Sequence, residues 1–296
     1  MICQYIIFID QIRGENMDHQ KLITLLQQAI EMVYSDEKSK SLVNSDINAD
    51  IMDLLKSEEW PEAVPQYLIC EDNEKDKLDR AEGILDLIGV QNIKGKKFLD
   101  FGCGEGHVSA QAFGIASKSI GYDFLPTGKF DWELDENFLL TSDFKKVVAN
   151  APFDFISLYD VLDHSENPVE LLDQVKSICS KKTKIFVRCH PWIGRHASHL
   201  YRQINKAWIH VFFTEEEIRS MGYNMDFVFK TYFPMATQNK WFNDAGFKVV
   251  SSDTTKTVVE PFFKRSELKS RLPNEFKEFP EWQMCQAFND YVIQIE

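Results

Sequence analysis

The sequence predicts an α/β protein: a doubly wound, mostly parallel seven-stranded sheet preceded by an N-terminal helical segment. Three observations carry that prediction. From Lys97 onward, short apolar runs alternate with stretches of helical periodicity, the pattern of strands joined by crossover helices. The first of those runs ends in a glycine cluster, Gly102-Cys103-Gly104-Glu105-Gly106, which leads straight into a helical stretch. The 296 residues, 44% hydrophobic and 27% charged, are enough to fill one large core and a smaller appendage.

The elements follow in order. Asp18 to Tyr34 carries Leu22, Ile23, Leu25, Leu26, Ile30 and Val33 at helical spacing. Ser45 and Asp46 are placed to cap a second helix through Ile51, Leu54 and Leu55, and Pro61 and Pro65 break the chain beside Trp60. A third helix is expected from Asn73 to Ile88, with Leu78, Ala81, Ile84, Leu85 and Ile88 on one face. Together these form a segment over residues 1–92. It either covers a site, with Trp60 and Tyr67 reaching over it as a lid, or buries its apolar faces against the sheet. Strands are expected at Lys97 to Phe101, Lys118 to Phe124, Phe138 to Thr141, Phe153 to Tyr159, Lys184 to Cys189, Phe247 to Ser251 and Tyr291 to Ile295, in a domain spanning 93–296.

Two insertions in that domain, about 191–236 and 261–285, are aromatic. The first holds Trp208, Phe212, Phe213, Tyr223, Phe227, Phe229, Tyr232 and Phe233; the second holds Phe262, Phe263, Phe276, Phe279 and Trp282. Core filling is the default for such side chains, and a substrate lid or an oligomer interface is the alternative.

Charge and cysteine usage narrow the partners. A formal charge of −13 repels phosphate backbones, and Lys94, Lys96 and Lys97 make only a short solvated edge, so nucleic acid is disfavoured. Cys3, Cys70, Cys103, Cys179, Cys189 and Cys285 form no CxxC pair and read as free thiols of a reducing compartment. Ile6-Ile7-Phe8-Ile9 is too short to span a bilayer and lacks the basic leader and cleavage site of a signal peptide. A cytoplasmic protein without a membrane partner is expected, with residues 1–16 an extension ahead of Met17. A homo-oligomer is compatible with the aromatic insertions.

The glycine loop is not the dinucleotide GxGxxG, because His107 stands where the last glycine would fall. With Asp100 two residues before the first glycine, it instead resembles the cofactor loop of the class I (Rossmann-like) S-adenosylmethionine-dependent methyltransferases. Downstream order agrees. Gly121-Tyr122-Asp123-Phe124 ends the second strand and Thr141-Ser142-Asp143-Phe144 follows the third. Phe153-Asp154-Phe155-Ile156 runs through Tyr159 to His164 and then Asn167-Pro168, while Ala245-Gly246-Phe247 precedes a late strand. Over roughly residues 80–260, this order resembles the small-molecule methyltransferase group.

The resemblance implies an antiparallel last strand, S-adenosylmethionine as cofactor, and a small-molecule or sugar acceptor methylated on oxygen, nitrogen or carbon. It implies cofactor contacts from Asp100, Gly102, Cys103, Gly104 and Gly106, then from Asp123 and Phe124 at the ribose. Asp143 and Phe144 would lie at the adenine, with Tyr159 at the end of the fourth strand. His164 and His190 are the candidate bases, since histidine titrates near neutrality and both follow strands whose ends open on the crevice of this fold.

His196, His199 and His210 complete a histidine-rich stretch whose plain reading is a hydrogen-bonded polar loop. His196 and His199, at i and i+3, raise the thought of a metal with His190 or Cys189. Without a CxxC or an adjacent carboxylate pair, no metal centre is expected. DNA base methylation is disfavoured too. Leu158-Tyr159-Asp160-Val161 stands where amino-methylating DNA enzymes carry (Asp/Asn)-Pro-Pro-aromatic, and Cys189 follows Arg188 rather than proline. The competing readings are a protein that keeps the fold without turnover and a nicotinamide oxidoreductase.

Overall fold

The computed structural model describes residues 49–65, 73–124, 132–224, 235–256, 262, 265, 268, 271–272 and 286–296. Residues Met1–Asp53 and Leu54–Glu296 are separate compact units. The helix expected at Asp18 to Tyr34, Tyr67, and Phe227, Phe229, Tyr232, Phe233, Phe263, Phe276, Phe279 and Trp282 lie outside the described residues, as do Cys3, Cys70 and Cys285. Among the described residues no helix is long and apolar enough to cross a membrane.

The strands are β1 (Lys97–Phe101), β2 (Lys118–Tyr122), β3 (Trp132–Asp135), β4 (Phe138–Thr141), β5 (Phe153–Tyr159), β6 (Cys179–Cys189), β7 (Phe247–Lys256) and β8 (Gln286–Ile295). The helices are α1 (Ala49–Lys56), α2 (Glu74–Ile88), α3 (Val90–Ile93), α4 (His107–Ala112), α5 (Phe144–Ala149), α6 (Pro168–Lys176), α7 (Ile209–Phe212), α8 (Glu215–Ser220) and α9 (Met235–Asp244). One sheet runs in the order β3-β4-β2-β1-β5-β6-β8-β7. Neighbours from β4 to β6 pair in parallel, and β8 lies antiparallel between β6 and β7. That is the expected sheet, with its antiparallel last strand.

The eighth strand was not expected: β3 adds to the β4 edge in antiparallel fashion. Four expected boundaries also shift, β2 ending at Tyr122 rather than Phe124. β6 begins five residues early (Cys179 against Lys184), because Thr183 is buried between exposed lysines and its hydroxyl donates to the Phe153 carbonyl at 2.6 Å. β7 and β8 pair over most of their length and so outrun the short apolar runs that announce them.

Both faces of the sheet are buried, as a parallel sheet requires. Leu99, Ile120, Ile156, Ile185 and Ile293 point to one face, where Leu172 and Val175 of α6 and Trp241, Phe242 and Ala245 of α9 cover them. Phe98, Phe155 and Phe186 point to the other, under Ile84, Leu85 and Ile88 of α2 and Ala112 of α4. Thus Ile84, Leu85 and Ile88 of α2 bury against the sheet, whereas Leu78, expected on the same face, is 42% exposed. The ends of α2 are well defined: Asn73 caps it by accepting from the Asp76 N–H, and Gly89 closes it at φ 83°. The chain goes from β1 outward to β2 and β4, then crosses to β5 on the other side of β1. Order reverses between β1 and β5, so the crevice of a doubly wound sheet opens at the carboxyl ends of these two strands.

Candidate functional site

The end of β1 turns sharply at three glycines in the left-handed region: Gly102 (φ 78°), Gly104 (φ 54°) and Gly106 (φ 84°). The turn is held from β2, whose Tyr122 carbonyl accepts from the N–H groups of Gly102 (2.7 Å) and Cys103 (3.0 Å). The glycines differ in what surrounds them. A Cβ on Gly102 would stand 2.5 Å from Val161, and one on Gly106 would stand 2.7 Å from Leu140. A Cβ on Gly104 would meet nothing within 4 Å. Two of the glycines therefore serve packing, and the middle one faces open space.

Acidic residues lie on the strands and turns next to this loop. Asp123, just past β2, accepts the Gly104 N–H at 2.8 Å. Asp100 is buried beneath the loop with the Ser109 hydroxyl donating to it at 3.2 Å, and burial pushes its carboxyl up to about 7. Asp143, past β4, caps α5 by accepting from the Lys145 N–H. Phe144 packs on Phe101 and Tyr122, whereas Phe124 is 70% exposed. Burial raises the Cys103 thiol.

From the near side, α2 reaches the loop with its polar face. Lys77 pairs with Glu105 at 2.7 Å, Glu74 meets His107 at 3.3 Å, and Gln111 donates to the Leu78 carbonyl.

A second polar cluster sits at the ends of β5 and β6. Tyr159 ends β5, and Asp160 follows in the left-handed region at φ 54°. The short 3-10 turn Leu162–His164 then brings Asp163 inward. His190, 5% exposed, ends the run from β6. Its Nε2 lies 3.2 Å from Asp160 Oδ1, and its backbone N–H donates to Asp163 Oδ2 at 3.1 Å. Burial opposes charge on both partners of the Asp160–His190 pair, yet their mutual attraction wins, holding the imidazole above and the Asp160 carboxyl below their ordinary ranges.

Burial lowers His164, and it takes His196 and His199 down to about 3, so these imidazoles are neutral at pH 7. Their rings form one wall. His190 meets His196 at 4.9 Å and His199 at 5.4 Å, and His164 meets His199 at 5.2 Å. His196 and His199 lie in turns rather than on a helix face, and His199 itself is left-handed. His210 is turned away, its Nε2 at 2.6 Å from the Trp192 carbonyl.

A family model described as "Methyltransferase domain" matches residues 75–252. The chain belongs to the methyltransferase domain family. It is an S-adenosylmethionine-dependent methyltransferase. Among curated proteins, no sequence matches it. Among solved structures, it is similar to a SAM-dependent methyltransferase from Archaeoglobus fulgidus, with 15% identity and a TM-score of 0.44, over 78% of this chain and 100% of that one. It is also similar to magnesium protoporphyrin IX methyltransferase from Synechocystis PCC 6803 with bound SAH, with 14% identity and a TM-score of 0.43, over 76% and 89%.

The loop of this methyltransferase fits its cofactor on its own geometry. The donor carries a cationic sulfonium and a ribose diol, and no phosphate. The open space at Gly104, with the Asp123 carboxylate beside it, offers the ribose diol a hydrogen-bond acceptor. The sequence-expected residues thus fall into two clusters. Asp100, Gly102, Cys103, Gly104, Gly106, Asp123 and Phe124 surround the β1 and β2 ends, with Asp143 and Phe144 past β4. Tyr159, His164 and His190 stand across the order reversal, at β5 and β6.

Asp160, Asp163 and Arg80 were not singled out from sequence. Arg80 projects from α2 to 3.7 Å from Asp160 and lies over the Tyr159 ring. The spacing Asp160-x-x-Asp163-His164 directly after a strand was the available signal.

Proposed function

We propose that this methyltransferase transfers the methyl group to a small-molecule or sugar acceptor held at the ends of β5 and β6. The observation that carries this reading is the imidazole and carboxylate wall lying across the order reversal from the glycine loop, so that donor and acceptor sides flank one crevice. S-adenosylmethionine supplies an activated methyl on sulfur. The protein's work is then to orient the acceptor and exclude water.

In this reading Asp123 holds the ribose hydroxyls, with Asp143 and Phe144 at the adenine and Asp100, Gly102, Cys103, Gly104, Gly106, Phe124 and Tyr159 completing the donor side. His164, half-buried and kept neutral, takes the proton from a hydroxyl or ammonium acceptor. His190 stands behind it, and α2 borders the acceptor with Arg80. The acidic surface and the position of the site favour a soluble metabolite in the cytoplasm over nucleic acid.

Incubation with labelled S-adenosylmethionine and separate metabolite, protein and nucleic-acid fractions tests the acceptor class. Label should appear in the metabolite fraction; transfer into protein or nucleic acid instead would refute it. Replacing Asp123 by alanine is expected to weaken S-adenosylhomocysteine binding by about 1–3 kcal/mol, the loss of a charge-assisted hydrogen-bond partner. An unchanged dissociation constant in Asp123→Ala would remove the carboxylate from the ribose.

A further inference from the structure

We propose that Asp160, Asp163 and His190 form a binding site for one divalent transition-metal ion on the acceptor side. The inference rests on the reading of that side given above and deepens it.

The three side chains come from the ends of two adjacent strands and the turn between, and their candidate ligand atoms all lie within 4.8 Å of one another. All three are buried or nearly so; Asp163 is 0% exposed. The contact between His190 Nε2 and Asp160 Oδ1 is the telling one. The atoms are 3.2 Å apart, yet the Asp160 oxygen has no partner in hydrogen-bond geometry. Two ligands of one ion, each at about 2.1 Å, stand roughly 3.0–3.4 Å apart in octahedral or tetrahedral arrangement. His190 Nδ1 is also buried without a hydrogen-bond partner, so nothing on the far side of the ring fixes which nitrogen carries its proton.

Charge points the same way. Two buried carboxylates face one imidazole, and the nearest further cation, Arg80, is 59% exposed at 3.7 Å. A divalent ion would balance them. The mixed nitrogen and oxygen donor set selects a manganese, iron, cobalt or zinc class of ion over calcium or magnesium, which prefer oxygen alone. Three protein ligands leave coordination positions open. The His199 ring packs 5.4 Å from that of His190 and 5.2 Å from that of His164, so an acceptor oxygen taking an open position there would lie near both. The acceptor class is thereby narrowed to molecules carrying a hydroxyl or other ligating oxygen, which the ion would orient and make more acidic.

A second group, Glu74, Glu105 and His107, has comparable spacing but is mostly exposed, and Lys77 already neutralises Glu105. It serves as the control.

The test uses the full-length protein stripped with a chelator and titrated with Co2+, followed by visible absorption and metal analysis. One Co2+ per chain with ligand-field bands is expected. Asp163→Asn and His190→Gln, both close in shape to the native residues, should each weaken binding at least about tenfold, while Glu105→Gln leaves it unchanged. Each variant is titrated in parallel with S-adenosylhomocysteine, whose retained affinity shows that it is folded. No saturable Co2+ binding by the stripped wild-type protein at millimolar concentration overturns the proposal. So does binding that survives both variants or is lost with Glu105→Gln. If S-adenosylhomocysteine binds and Co2+ does not, the metal site alone falls; if S-adenosylhomocysteine fails to bind, the donor reading falls with it.

Discussion

Gly104→Val is expected to weaken S-adenosylhomocysteine binding at least about a hundredfold, roughly 2.7 kcal/mol, in a protein that remains folded. The two halves of that expectation have separate causes. Gly104 sits at φ 54°, where a β-branched residue is strained by about 1–2 kcal/mol, but its Cβ would strike no neighbour. The fold can carry such a strain. The valine side chain would instead occupy the open space in front of the loop and disturb the N–H that Asp123 now accepts.

The flanking glycines should behave in the opposite way. Gly102→Ala and Gly106→Ala drive a methyl into Val161 or Leu140 and should lower the melting temperature. Isothermal titration and thermal melting on the three variants separate these outcomes. A folded Gly104→Val protein that binds S-adenosylhomocysteine as the wild type does would take the loop out of the donor site.

Trp60→Ala is expected to destabilise the protein by about 3–5 kcal/mol, the cost of truncating a large buried aromatic. Trp60 is 1% exposed. It packs edge-on against Phe212 and Phe262 and tilted against Phe213, and its Nε1 donates to the Ala207 carbonyl at 2.8 Å. Trp208 in turn stacks on Phe262. Trp208, Phe212, Phe213 and Phe262 of the two insertions therefore join Trp60 in a common core. Substitution should lower the melting temperature while leaving S-adenosylhomocysteine affinity unchanged below the transition. A large loss of affinity with little loss of stability would instead make Trp60 part of a cover over the site.

How much of this was legible depends on whether a feature is local. β1, β2, β4 and β5 announce themselves because parallel strands buried on both faces read as largely apolar runs, such as Phe138-Leu139-Leu140. β3 is four residues paired along one edge, too short for any periodicity. The first half of β6 is hidden by Lys181, Lys182 and Lys184, although Thr183 between the last two is buried.

The order of the motifs and the family match over 75–252 agree. The sequence does not separate Gly104 from Gly102 and Gly106, because the difference lies in Val161 and Leu140, which approach from other elements. The pairing of Asp160 with His190 likewise depends on β5 lying beside β6 in the register that sets Tyr159 against Arg188, and on a left-handed Asp160 that no local pattern signals. For aromatic side chains in the insertions core filling is the default and a lid or interface the alternative, and only packing distinguishes the two.

Calorimetric titration of the wild-type protein with S-adenosylhomocysteine and, separately, with NAD tests the central claim most directly. A glycine loop that leaves space at Gly104 and holds the Asp123 carboxylate beside it should bind one S-adenosylhomocysteine per chain, competed by S-adenosylmethionine, and give no heat with NAD. Saturable binding of NAD, or no binding of S-adenosylhomocysteine, would contradict it.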